Sequence, residues 1–152
     1  MAASEGGPVR IDVQASVQAT EDVEKVQTAI QNLFPQDILN SLDFKTTTLR
    51  GHYHNPIILM ETQLTNPDLI EQTLTNMGQK LTSSDRNQIA QTFASRINQK
   101  GQVFLRLNKQ EAYLGQIRII NRGDSIRVVI RFSGRKPSLN ELENHCRRFK
   151  LI

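Results

Sequence analysis

Arginine is the residue type in this chain whose placement suggests chemistry most directly. Arg10, Arg106, Arg127 and Arg131 fall in stretches of alternating polarity, each on the polar parity. On a strand, residues two apart project to the same side. These four are therefore expected on one open sheet face, with Lys109 and Arg118 near its rim. A planar guanidinium matches the paired oxygens of a phosphate, so such a face suits a polyanion. The same pattern also fits a solvated face whose charges discourage strand-edge association. The face carries no aromatic pair to stack bases, which favours reading of backbone and shape over reading of bases.

A second group of polar side chains is compressed into the segment from Arg50 to Pro56. It brings together Arg50, His52, Tyr53, His54 and Asn55, where the cation and the polar groups can reach phosphate or ribose and Tyr53 can stack on a base. A turn stiffened by Gly51 and Pro56 is the plainer reading of the same residues. His52 and His54 also raise zinc, with Glu61 the nearest carboxylate downstream, but no spacing supplies the three or four ligands zinc usually takes. No metal or cofactor is expected.

Motifs for covalent or nucleotide chemistry are missing. The sequence has no phosphate-binding glycine loop, no nucleophile elbow and no zinc-protease helix motif. Its one cysteine, Cys146, lies on the apolar stripe of a helix beside His145, a poor setting for a nucleophile. Asp37, Asp43 and Glu61 are scattered. The expectation is a binding protein, not an enzyme. Arg147, Arg148 and Lys150 near the chain end are read first as cations complementing a helix C-terminus.

The elements that must position these groups follow from polarity patterns. Strict alternation from Val9 to Ala19 predicts a strand burying Val9, Ile11, Val13, Ala15, Val17 and Ala19. Thr20 is the expected cap of a helix carrying Val23, Val26, Ile30 and Leu33, ended by Pro35. Strands over Leu42–Arg50 and Ile57–Leu64 form a hairpin with a long tip. Asn66-Pro67 opens a second helix, and a third, after a break at Leu81–Ser84, carries Ile89, Phe93 and Ile97. Val103, Leu105 and Leu107 mark a fourth strand, followed by a turn or single helical turn over Lys109–Gly115 and an extended Gln116–Ile120. Ile126, Val128, Ile130 and Phe132 bury one face of a last strand. Ser138 and Glu141 form a capping box for a final helix with apolar Leu139, Leu142, Cys146 and Phe149. The order implies an α+β fold: a mostly antiparallel sheet with helices packed on one face and the other face open.

The 152 residues suit one domain, 9–152, behind a short tail, 1–8, that lacks the basic and apolar regions of a signal peptide. No stretch is long and apolar enough for a membrane span, and a lone cysteine suits a cytoplasmic setting. Charge is unevenly spread: residues 1–100 carry a net −3 and residues 101–152 a net +7. That asymmetry points to a polyanionic partner or to a basic surface that is merely solvated.

Three segments resemble a known archaeal family when taken in order. They are Ala19-Thr20-Glu21-Asp22-Val23-Glu24-Lys25-Val26, Gly51-His52-Tyr53-His54-Asn55-Pro56-Ile57 and Leu105-Arg106-Leu107-Asn108-Lys109-Gln110-Glu111-Ala112-Tyr113-Leu114-Gly115. The family comprises proteins described as predicted RNA-binding exosome subunits, and the resemblance spans about Val9 to Phe132. Its pattern has a second glycine near position 53, where this chain has Tyr53. The resemblance implies a fold like that of the large-subunit ribosomal protein that binds 5S ribosomal RNA. It implies RNA binding and association with the exosome, and it adds Gln110 and Tyr113 to the RNA-facing residues, while ribosome components are open as partners on an adaptor reading. Two other functions remain open: a protein adaptor docking through the same basic surface, and a hydrolase of RNA ends with a metal at His52 and His54. The chain alone leaves open a monomer or a dimer through a strand edge.

Overall fold

The computed structural model describes residues 6–50 and 55–152. Among these residues, five strands form one antiparallel sheet in the order β2-β3-β1-β5-β4. They are β1 (Pro8–Val17), β2 (Phe44–Arg50), β3 (Pro56–Leu64), β4 (Val103–Asn108) and β5 (Ser125–Phe132). The helices are α1 (Val23–Gln31), α2 (Pro67–Lys80), α3 (Ser83–Gln91), α4 (Lys109–Tyr113) and α5 (Leu139–Arg148), with short 3-10 turns at Gln36–Ser41 and Phe93–Arg96. The architecture is the expected α+β layer.

Alternation decides which sheet face is covered. Ile11, Val13, Ala15 and Val17 of β1, Leu105 and Leu107 of β4, and Ile126, Val128 and Ile130 of β5 are buried. They meet Val26 and Ile30 of α1, Ile70, Leu74 and Met77 of α2, and Leu142 and Cys146 of α5 in one apolar cluster. Residues of the other parity, Arg10, Asp12 and Gln14 among them, stay partly or fully exposed.

Local chemistry moves several boundaries. β1 begins at Pro8, inside the expected tail, and Ser133 donates to Gly7 O at 3.0 Å. Its register shifts between Pro8 and Arg10, which turns Val9 outward instead of into the core. β1 ends at Val17, so Ala19 is exposed as well. The cap of α1 is Asp22, not Thr20: its carboxylate accepts from Glu24 N at 2.9 Å. β2 starts at Phe44, two residues after Leu42. Asn66 caps α2 as expected, accepting from the amides of Asp68 and Leu69. The third helix stops at Gln91; Phe93 lies in the following 3-10 turn and Ile97 beyond it, bridged to Val103. Gln116–Ile120 is no strand, only an isolated bridge from Ile119 to Leu107. Phe132 is half-buried and Leu139 exposed, whereas Leu142, Cys146 and Phe149 are buried. Ser138 and Glu141 cap α5 as expected, with Glu141 N donating to Ser138 Oγ at 3.2 Å.

α5 is held down by close backbone contact with α2. A Cβ on Gly78 would lie 1.9 Å from the carbonyl oxygen of Phe149, so only glycine lets the two segments touch. Lys150, at φ 63°, then reverses the chain, and Leu151 N donates to Cys146 O at 2.9 Å.

Candidate nucleic-acid interface

Register places five polar side chains in a row across the open face. Lys45 of β2 lies opposite Glu61 of β3, Glu61 opposite Gln14 of β1, Gln14 opposite Arg127 of β5, and Arg127 opposite Arg106 of β4. The row runs from mixed charge at the β2 edge to two adjacent arginines at the β4 edge. A second like-charged pair, Arg10 opposite Arg131, lies nearer the start of β1.

The two arginine pairs differ in how their charge is met. Asp12 lies between Arg10 and Arg131, accepting from Arg10 Nε at 2.9 Å and pairing with Arg131 Nε at 3.3 Å. Arg106 and Arg127 pair with no carboxylate among the described residues. Directly opposed like charges destabilise a sheet unless something compensates them. Arg127 is partly accommodated by stacking on the Phe104 ring, 4.7 Å from its centroid.

Arg96 joins this uncompensated pair. The 3-10 turn Phe93–Arg96 packs against β4, and the Arg96 guanidinium donates to Thr92 Oγ1 at 2.8 Å. Burial pulls its pKa below the ordinary guanidinium value. Arg96, Arg106 and Arg127 line a cleft of about 410 Å³ with Thr92, Ser95 and Asn121, and no carboxylate belongs to its wall. Arg96 was not among the residues the sequence singled out. Its periodicity placed it on a helix, and only the early stop of α3 at Gln91 turns it toward β4.

Other expected residues are placed differently. Lys109 is no free cation at the rim. Its side chain is only 10% exposed, and Nζ donates to Ser16 O at 2.7 Å, to Glu21 Oε1 at 3.0 Å and to Asp124 Oδ2. It ties the end of β1 to the loop before α1 and the turn before β5. Arg118 is likewise spoken for: its Nε donates to the buried Asp85 carboxylate of α3 at 3.1 Å, which also accepts from Ile119 N. Gln110 and Tyr113 are exposed on α4, where Lys25 Nζ sits 5.7 Å from the Tyr113 ring centroid. They line a separate hollow of about 610 Å³ with Glu21, Asp22 and Asp124, whose acids make it a poorer host for phosphate.

Arg50 lies opposite Pro56 and so has the parity of buried Met60, not that of Glu61. It is exposed because β2 is exposed along nearly its whole length. Asn55 is exposed too, while His52, Tyr53 and His54 lie outside the described residues. No cluster of three metal-ligating side chains occurs among the described residues. At the chain end, Arg148 pairs with Glu71 of α2 at 3.1 Å and Arg147 with Glu143 at 4.0 Å.

An uncompensated arginine cleft on an open sheet is what a polyanion-binding protein presents. Residues 10–132 match the model of a protein family described as RNA binding. The chain belongs to that family. A protein of Pyrococcus abyssi named as an RNA-binding protein is 30% identical over 122 residues, covering 80% of this chain and 79% of that one. A crystal structure of a protein from Archaeoglobus fulgidus shares 30% identity and a TM-score of 0.79, over 93% of this chain and 99% of the other. A structure from Methanothermobacter thermautotrophicus, 22% identical, has the same fold at a TM-score of 0.75, over 93% and 97% of the two chains. The family is described by binding and not by catalysis. Its match ends at Phe132, yet α5 beyond that point completes the same apolar core.

Proposed function

We propose that this member of the RNA-binding family recognises structured RNA through phosphate and shape contacts made by the open sheet face, centred on Arg96, Arg106 and Arg127. One observation carries the reading: three guanidiniums converge on a concave, carboxylate-free cleft, and two of them oppose each other across neighbouring strands. Bringing such charges together is unfavourable unless an anion compensates them. Phosphate does so best, since each guanidinium can offer paired donors to its oxygens. Arg10 and Arg131, with Asp12 between them, extend the surface without adding as much net charge. Arg50 and Asn55 offer a further contact from the β2–β3 hairpin.

The fit is to a binding protein without cofactor or metal. The lone cysteine suits a cytoplasmic setting, the family resemblance adds association with the exosome, and nuclease-treated pull-downs from the source cell test the latter directly. No helix among the described residues is long and apolar enough to cross a membrane.

The test is fluorescence anisotropy with a labelled RNA hairpin and a matched DNA duplex. Wild-type protein is expected to prefer the RNA. Arg106→Ala combined with Arg127→Ala is expected to weaken binding at least tenfold, because both side chains are exposed and their loss leaves the core intact. Arg147→Ala on α5 serves as a control for loss of charge elsewhere and is expected to bind as wild type. Undiminished affinity in the folded double variant would remove the cleft from the site.

A further inference from the structure

The arginine cleft opens into a second, chemically different groove, and the two share Asn98, Phe104 and Arg127. This groove, about 370 Å³, is lined on the open face by the amides of Gln14, Gln63 and Gln102, by Glu61, and by Arg10 and Arg131 with Asp12 paired between them. Val129 of β5 lies directly opposite Phe104 and forms an apolar floor. Gln14 and Gln63 are held in the sheet by their backbones, and their side chains make no hydrogen bond among the described residues. Gln102 uses its carbonyl to accept from Asn98 Nδ2 at 2.8 Å, which leaves its amide hydrogens for another partner.

From this pairing we infer that the site holds an unpaired nucleotide: its phosphate in the arginine cleft and its base in the adjoining amide groove. The inference rests on the RNA-binding reading above and adds base contact to it. Charge sets the orientation. The cleft offers three guanidiniums and no carboxylate, whereas in the groove Arg10 and Arg131 are met by Asp12 and Glu61 has no cationic partner among the described residues, so a phosphate is better placed in the cleft. Glutamine amides carry both a donor and an acceptor, and a carboxylate accepts from exocyclic amino groups, so the groove suits the polar edge of a base. Arg127, exposed and lying over the Phe104 ring, offers a guanidinium on which the base can stack. Gln14 and Arg106 flank Arg127 in the cross-strand row, two strand spacings or about 10 Å apart. A single nucleotide can bridge that span. Bases in a duplex already pair and stack, so only an unpaired one can enter.

The experiment uses anisotropy with three RNAs built on one hairpin: blunt-ended, with a short unpaired overhang, and with the same overhang made abasic. The overhang is expected to tighten binding by roughly tenfold, a gain of the size base stacking gives, and the abasic version to return to the blunt affinity. Gln14→Ala combined with Gln63→Ala is expected to erase most of that gain while blunt-hairpin binding stays within about twofold. Both side chains lie on the open face, so circular dichroism should show an unchanged fold; the exposed Gln63→Ala alone is the fallback variant. If overhang and blunt RNAs bind alike, or the glutamine variant keeps the full gain, the inference is overturned while RNA binding stands. If no RNA binds measurably, the underlying reading falls and this one with it.

Discussion

Cys146 and Lys109 show how much a residue's role depends on what surrounds it. Cys146 is buried on the core face of α5, and burial pushes its thiol from 9.0 up to about 12. The folded thiol therefore stays protonated and unreactive at neutral pH. Alkylation of native protein is expected to be slow and to become fast only on unfolding, as mass spectrometry after an iodoacetamide pulse would show. The linkage has a definite sign: above pH 9 the unfolded thiol ionises while the folded one does not, so this group's contribution to stability is lost as pH rises from 9 to about 12. Lys109 reads as a surface cation in the sequence but acts as an internal tie. Lys109→Met would leave Glu21, Asp124 and the Ser16 carbonyl without their common donor. It is expected to destabilise the fold by about 1–3 kcal/mol in chemical denaturation, since a part-buried carbonyl and two carboxylates lose the donor they share. A loss near zero would mean water replaces the ammonium readily.

At the scale of elements, the close approach of α2 and the end of α5 is the most exacting contact. Alanine is ordinarily the better helix former by about 1 kcal/mol. At Gly78 the order should reverse, because a methyl group cannot fit 1.9 Å from the Phe149 oxygen without moving the chain end. Gly78→Ala is expected to lower stability by about 1–3 kcal/mol, measured by urea denaturation. A stabilised variant would show that the terminal segment yields freely. The two edges of the sheet also differ. β4 is flanked by bridges from Ile97 and Ile119, which guard its end, whereas β2 is exposed along nearly its whole length and has no such bridge among the described residues. Those flanking segments bring Arg96 and Asn98 to the arginine row, so the covered edge is also the cationic one.

For the whole molecule, division of labour between the sheet faces is the governing feature. One face meets the helices in a continuous core, leaving the other free for a ligand. The net +7 of residues 101–152 is spread unevenly. Arg118, Arg147 and Arg148 pair with acids of the helices, and Lys109 with acids of two loops, so the charge available to a polyanion is smaller than the composition suggests. RNA affinity is accordingly expected to fall with salt, and the Arg106→Ala, Arg127→Ala double variant should flatten the slope of log K against log salt by about 1.5–2. Titrations across a salt series measure this, and an unchanged slope would mean neither arginine meets a phosphate.

Short-range patterns determined most of the fold. Alternation at Ile11 through Val17 and at Ile126 through Ile130 named the covered face, because side-chain direction along a strand follows from backbone geometry alone. The same rule places Arg10, Arg106, Arg127 and Arg131 on the open face from the sequence alone. Capping by Asn66 and Ser138 was equally local. What the tertiary structure alone decided is which of those cations remain uncompensated. Asp12 falls between Arg10 and Arg131, Asp85 of α3 meets Arg118 of the loop before β5, and Arg96 reaches Arg106 and Arg127 around the sheet edge. Charge compensation depends on distances of a few ångströms between residues far apart in the chain, and these arise only when strand register and helix packing are both set.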